Sequence, residues 1–235
     1  MLTYYQTQTT QLLANPGAPT PLYATTDITT WINTARTQLA GETGCIRLIG
    51  TLPITASSQT YPFSSITTSV TGAQNVYAVR QTTITSGTGQ VYLGSRGYPW
   101  ATLYWLNNSA PVAAQPTEWA QYGQGATGSL IFNTTPNASY TVNCDCTWEP
   151  IPLVSDSTTE LIPYPFQDAV CYFAAYLAYM SSQRQGDADR MYGRYQEFVN
   201  RSRKISIPNV LGFQYDMSQP SPTVAPQGPQ QGGGR

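Results

Sequence analysis

The chain of 235 residues contains no histidine and little charge, with 11 lysines and arginines against 12 aspartates and glutamates. Without histidine it lacks the commonest general base and the commonest metal ligand, and chemistry that depends on either is excluded. A net charge of −1 argues against a general nucleic-acid binder or a membrane-surface protein. Long apolar runs are also missing. The longest, Ala169 to Met180, falls well short of the roughly 20 residues that a membrane helix needs. The opening MLTYYQTQTTQLLANPG has neither a basic n-region nor an apolar h-region, so a soluble protein made in the cytoplasm, with no membrane contact, is expected.

Recognised catalytic signatures are absent as well. The chain shows no P-loop, G-x-S-x-G, H-E-x-x-H or dinucleotide fingerprint. The glycine-rich piece Tyr122–Gly128 opens onto a strand, so the helix N-terminus that would hold a phosphate is missing. Carboxylates between residues 45 and 153 are few (Glu118, Asp145, Glu149), and no pair has a sequence spacing that identifies a glycosidase's acid and nucleophile. Cys45, Cys144, Cys146 and Cys171 are expected to be reduced, without the CxxC spacing of a zinc site. No enzyme activity, cofactor or metal is expected.

Thr, Ser, Gln, Asn and Tyr are abundant instead. Such composition suits extended β surfaces and the polar interfaces of large assemblies, and also secreted sugar-binding proteins. The most ordered pattern lies between Ile162 and Lys204. Val170, Phe173, Ala174, Leu177 and Met180, then Ala188, Met191, Tyr192, Tyr195, Phe198 and Val199 recur at helical spacing. Pro163 and Pro165 mark where the first helix begins, and Asp168 falls in its first turn. Gly186-Asp187 interrupts the run, which reads as a helical hairpin or as one bent helix, with Asp187 available to cap the second helix. The first helix has two adhesive faces: small residues Ala174, Ala175 and Ala178, and a stripe of Tyr172, Tyr176 and Tyr179. Its second neighbour is either this chain's own packing or another subunit.

Towards the N-terminus, Leu2–Leu13 reads as a short polar helix, followed by a Pro-rich link to Pro21. Ile28, Trp31, Ile32, Ala35 and Leu39 mark a second helix, with Asp27 or Thr29 as cap and Gly41 and Gly44 at its end. From Cys45 to Leu153 short β-rich runs alternate with turn residues: Cys45–Ile54, Ser65–Val70, Val76–Thr85, Gln90–Leu93, Ala101–Leu106, Gly128–Asn133 and Ser139–Trp148. The expected fold is α+β: a helical platform (residues 1–44 plus a C-terminal helical hairpin, 154–204), an inserted antiparallel β-sandwich or barrel (45–153), and an extended C-terminal arm (205–235).

Trp31–Ala40, Pro116–Gly125 with Gly128-Ser-Leu, and Ile162–Phe166 leading into Ala169–Ala178 together resemble the head-to-tail adaptor (connector) proteins of tailed bacteriophages. The likeness is to the tail-tubular-protein-A type of short-tailed phages, and it covers Leu22 to Tyr215. The resemblance implies a structural virion protein at the head-tail junction, assembled in the host cytoplasm. It implies a homo-oligomeric ring, usually twelvefold, that sits on the portal protein and continues the DNA channel to the tail nozzle. What the β region touches, tail fibre proteins, nozzle or neighbouring subunits, stays open. DNA would pass through during genome ejection without sequence-specific binding. The rival reading is a carbohydrate-binding β module of a tail fibre, on Tyr98, Trp100, Tyr104 and Trp105.

Two sets of contact residues follow. The subunit interface is expected at Tyr172, Ala175, Tyr176 and Tyr179, with Arg190 and Arg194. The portal-binding set is Arg201, Arg203 and Lys204 at the root of the arm, with Val210, Leu211, Phe213 and Tyr215 as its apolar anchors. Six of the eleven basic residues lie between Arg184 and Lys204, and Glu197 is spaced to pair with Arg194 and Arg201.

Overall fold

The computed structural model describes residues 1–15, 21–56, 58–86, 89–106 and 113–206. The Pro-rich link at 16–20 and the arm from residue 207 onward lie outside the described residues.

Helix α1 (Leu2–Leu12) turns Leu2, Tyr5 and Thr9 inward. Helix α2 (Thr25–Thr43) buries Ile28, Ile32, Ala35, Arg36, Leu39 and Ala40 along one stripe. Neither Asp27 nor Thr29 caps α2. The helix begins earlier, with Ala24 at the N-cap, so Asp27 lies in the first turn and complements the helix dipole there. Gly41 lies inside the helix, and Gly44 ends it at φ +59°, donating to the Ala40 carbonyl at 2.9 Å. A side chain would resist that left-handed conformation.

The β region forms two four-stranded sheets. In the first, β1 (Arg47–Ile54), β8 (Tyr140–Pro150), β3 (Ala73–Ser86) and β4 (Gly89–Tyr92) lie side by side, all antiparallel. In the second the order is β2 (Thr60–Pro62), β7 (Ser129–Phe132), β6 (Glu118–Tyr122) and β5 (Gly94–Arg96), and β5 departs from the antiparallel expectation by pairing parallel to β6. Strand β8 has the predicted alternation, with Val142, Cys144, Cys146 and Trp148 buried.

Two runs expected as strands are not. Ser65–Val70 makes only an isolated bridge between Thr67 and Thr51, after a 3-10 turn at Phe63–Ser65. Ala101–Leu106 coils instead: α3 (Tyr98–Ala101), with Pro99 in its first turn, runs into a π-helical turn at Thr102–Leu106. Ala101 and Trp105 then share one side, where they form a small separate core with Ala120 and Ile131.

The chain closes with α4 (Gln167–Ser181) and α5 (Gln185–Ser206). The break falls three residues before the expected Gly186. Gln183 takes the left-handed conformation at φ +59°, its N–H donates to the Met180 carbonyl, and the Arg184 N–H reaches back to Tyr179. That is a Schellman turn built on glutamine. Gly186 sits within the first turn of α5, where glycine is tolerated, and Asp187 accepts from Arg184 at 2.9 Å rather than capping the helix.

Helices and sheets bury one continuous cluster, which runs from Tyr5 through Ile32, Leu39 and Ala174 to Trp148, Leu130 and Phe132. A buried polar clamp holds the two parts in register. Arg36, 1% exposed, forks onto Glu160 through Nε and Nη2, both at 2.9 Å, and donates through Nη1 to the Ile151 carbonyl at 2.7 Å. Asn33 grips the backbone of Leu153 on both sides, at 2.8 and 3.1 Å, and Glu160 also accepts from the Ile162 N–H. Every arm of the guanidinium fork is used, which is the condition for a buried charge to be tolerated.

Candidate assembly surface

Helices α1, α4 and α5 form one side of the molecule, and the tyrosine stripe lies within it. Tyr172 is half-buried and stacks on Phe198 of α5, with centroids 5.0 Å apart and planes at 21°. Tyr176 is half-buried against Tyr192 at 5.2 Å. Tyr179 is buried; its hydroxyl donates to the Leu12 carbonyl at 3.1 Å and the Arg184 guanidinium lies 4.7 Å above its ring. Burial raises the pKa of that hydroxyl, which stays a neutral donor. Ala175 has no exposure. Much of the stripe is thus spent on the subunit's own packing, and the ring edges of Tyr172 and Tyr176 remain accessible beside the exposed Tyr192 and Met180.

The four arginines Arg190, Arg194, Arg201 and Arg203 each have a different environment. Arg190 is exposed and makes no ion pair among the described residues. Arg194 pairs with Glu197 at 2.8 Å. Arg201 does not join that pair; it stands at a groove beside Tyr164, Asp168 and Phe198. Arg203 donates to the Glu42 carbonyl at 2.8 Å and so ties α5 to the C-terminal end of α2. Glu42 also accepts from the Tyr195 hydroxyl at 2.6 Å, and that hydroxyl's pKa is raised by burial and by Glu42 itself. Lys204 lies in the last turn of α5, its side chain outside the described residues, as are Val210, Leu211, Phe213 and Tyr215.

The β region offers a second exposed surface. Trp100, Leu103, Tyr104 and Leu106 project from α3 and the π turn, with Trp100 packed 4.7 Å from Tyr104 and 5.3 Å from Trp105. Arg96 lies 5.1 Å over Trp100 and pairs with Glu118 at 2.5 Å. The few carboxylates of this region are all engaged. Asp145 accepts the Arg47 guanidinium and Glu149 accepts from Asn75 at 2.7 Å. Among the described residues no three His, Cys, Asp or Glu side chains are grouped to hold a metal ion, and no helix is long and apolar enough to cross a membrane.

The family model described as SU10 adaptor protein matches residues 5–220. The chain belongs to this family. The match spans the helical side, both sheets and the first part of the arm, so it concerns the whole architecture and not one borrowed region. No curated protein matches the chain. The adaptor is therefore a bacteriophage head-to-tail adaptor, a structural component of the virion whose family works between portal and tail components. Of the features that build the adaptor, sequence reasoning missed the Arg36–Glu160 clamp and the helical turn of Tyr98–Leu106. The available signals were an arginine on the buried stripe of α2 and a proline next to Tyr98 at a helix start.

Proposed function

We propose that the adaptor assembles into a ring, twelvefold as is usual for head-to-tail adaptors, that seats on the portal and carries the DNA channel on to the tail nozzle. The observation that carries this reading is the family match over residues 5–220, and the surface supports it. An aromatic patch around Trp100 and Tyr104 and a helical side edged with Tyr176, Tyr192 and Met180 are what a subunit in contact with neighbours presents. Residues 1–44 and 154–204 act as the platform, 45–153 as the β region and 205–235 as the arm. Neighbouring subunits meet at the exposed edges of Tyr172 and Tyr176 together with Arg190 and Arg194, while Ala175 and Tyr179 support that face from beneath.

Portal contact falls to Arg201, Arg203 and Lys204 with the anchors Val210, Leu211, Phe213 and Tyr215. Each subunit of a ring presents one copy of this set, so weak individual contacts sum by avidity. With only 11 lysines and arginines against 12 acidic residues, the channel does not grip DNA, which suits passage without sequence recognition. Truncation after Lys204 tests the reading: the shortened adaptor folds, by circular dichroism, but no longer co-sediments with portal rings. Retention equal to that of the full chain would move attachment to the helical platform.

A further inference from the structure

The side made by α1, α4 and α5 carries a groove that no described residue fills. It consists of two adjoining pockets that share Asp168 and Phe198. The larger, of about 180 Å³, is walled by Tyr4, Leu12, Cys171 and the stacked pair Tyr172 and Phe198. The smaller, of about 70 Å³, lies next to it between Tyr164, Pro165, Arg201 and Ser202. By volume the larger pocket matches the cavity of about 150 Å³ that, enclosed and apolar, takes up a benzene ring. It opens to solvent, however, and its lining is largely polar, with Gln8 and Asp168 beside the rings, so an aromatic side chain would stack on Tyr172 and Phe198 and not be enclosed. Tyr164 is 81% exposed at the mouth. At the junction the Asp168 carboxylate, among the described residues, accepts from the Tyr4 hydroxyl at 3.3 Å and can accept from further donors.

The chain itself supplies an occupant. Helix α5 ends at Ser206, four residues beyond the groove-lining Ser202, which is about 6 Å along a helix axis. After Ile207 come Pro208-Asn209, a pair of turn formers suited to reversing a chain. Val210, Leu211, Phe213 and Tyr215 come next. Tyr215 lies nine residues past Ser206, an extended reach of about 30 Å, which is ample to return along α5 to Phe198. The family match runs to residue 220, past this apolar stretch, and stops before most of the Pro/Gln/Gly-rich end. The stretch therefore belongs to the family's common unit.

We propose that in the free adaptor subunit the segment Val210–Tyr215 folds back into this groove, with Phe213 in the pocket between Tyr4, Tyr172 and Phe198 and with Val210 and Leu211 beside Tyr164. Tethering makes the docking intramolecular, so modest contacts suffice. The same apolar side chains offered to the portal are then kept from water until the portal competes for them. Docking in the free subunit does not depend on the portal reading.

Disulfide trapping on the full chain tests it. Gln8 lines the larger pocket, and Gln214 follows the ring proposed to fill it. Gln8→Cys with Gln214→Cys forms a disulfide within one chain under mild oxidation, about tenfold faster than Gln8→Cys with Gln227→Cys, whose tether is longer but of the same kind. Adding Phe213→Ala removes that advantage. Peptide mapping identifies the bonded pair against the native cysteines, and circular dichroism confirms the fold of each variant. As a second readout needing no added cysteine, Phe213→Ala speeds hydrogen exchange in Tyr4–Leu12 relative to the unaltered chain. Equal trapping rates at 214 and 227, or a disulfide linking two chains, would overturn the proposal.

Discussion

Arg36 shows how much of this fold depends on one side chain. It carries a full charge at 1% exposure and joins α2, the exit of β8 and the loop that leads to α4 through Glu160 and Ile151. Truncating one partner strands the other in a dry site, so Arg36→Ala is expected to cost about 3–5 kcal/mol, measured by denaturant unfolding. The double change Arg36→Met, Glu160→Met should cost clearly less, because no buried charge remains unpaired. The cysteines give a second check at this scale. Cys144 and Cys146 are fully buried and Cys171 nearly so, and burial pushes the Cys171 thiol up to about 12 and the Cys45 thiol upward. Only the thiolate attacks, so a raised pKa means less nucleophile at pH 8. Disulfide reagents are expected to modify the native protein on the order of a hundredfold slower than the unfolded chain. Rapid labelling of Cys171 in native protein would contradict its burial beside the groove between α1 and α5.

Among the elements, the turn between α4 and α5 is the most informative. Gln183 adopts φ +59° in a position that glycine fills without strain, and a left-handed residue with a Cβ costs about 1–2 kcal/mol. Gln183→Gly should therefore stabilise the adaptor by about 1 kcal/mol, offset in part by a more flexible unfolded chain, and raise Tm by about 2–4 °C. An unchanged or lower Tm would count against the Schellman turn. The sequence pointed to Gly186 for this break because glycine is the usual signal, whereas the actual turn is fixed by the hydrogen bonds of Gln183 and Arg184 to α4. Elements with long, unmixed patterns were legible: α2, α4, α5 and above all β8, whose alternation matches its buried face. Those decided by distant partners were not. Ala101–Leu106 looks like a strand until Trp105 is seen reaching Ala120 and Ile131, and the three-residue strands β2 and β5 exist only through the neighbours they pair with. The tyrosine stripe of α4 was read as an adhesive face, and whether a second helix or a second subunit covers it was not legible in the sequence. Phe198, Tyr192 and Leu12 supply much of the cover.

At the scale of the molecule, the helical side and the two sheets share one buried cluster and one polar clamp, so they move as a unit and present fixed surfaces to whatever they join. Those surfaces carry few charges, and in the β region the carboxylates Glu118, Asp145 and Glu149 are engaged by arginine or asparagine. Shape and exposed aromatic rings are what these surfaces offer to a partner. On the proposed function, this subunit links portal and tail nozzle through its arm and tyrosine edges. Electron microscopy of the purified adaptor mixed with the portal protein of the same phage tests this most directly. The account predicts a ring of adaptor subunits coaxial with the portal, its pore continuous with the portal channel. Folded adaptor that stays monomeric and leaves the portal bare would contradict it.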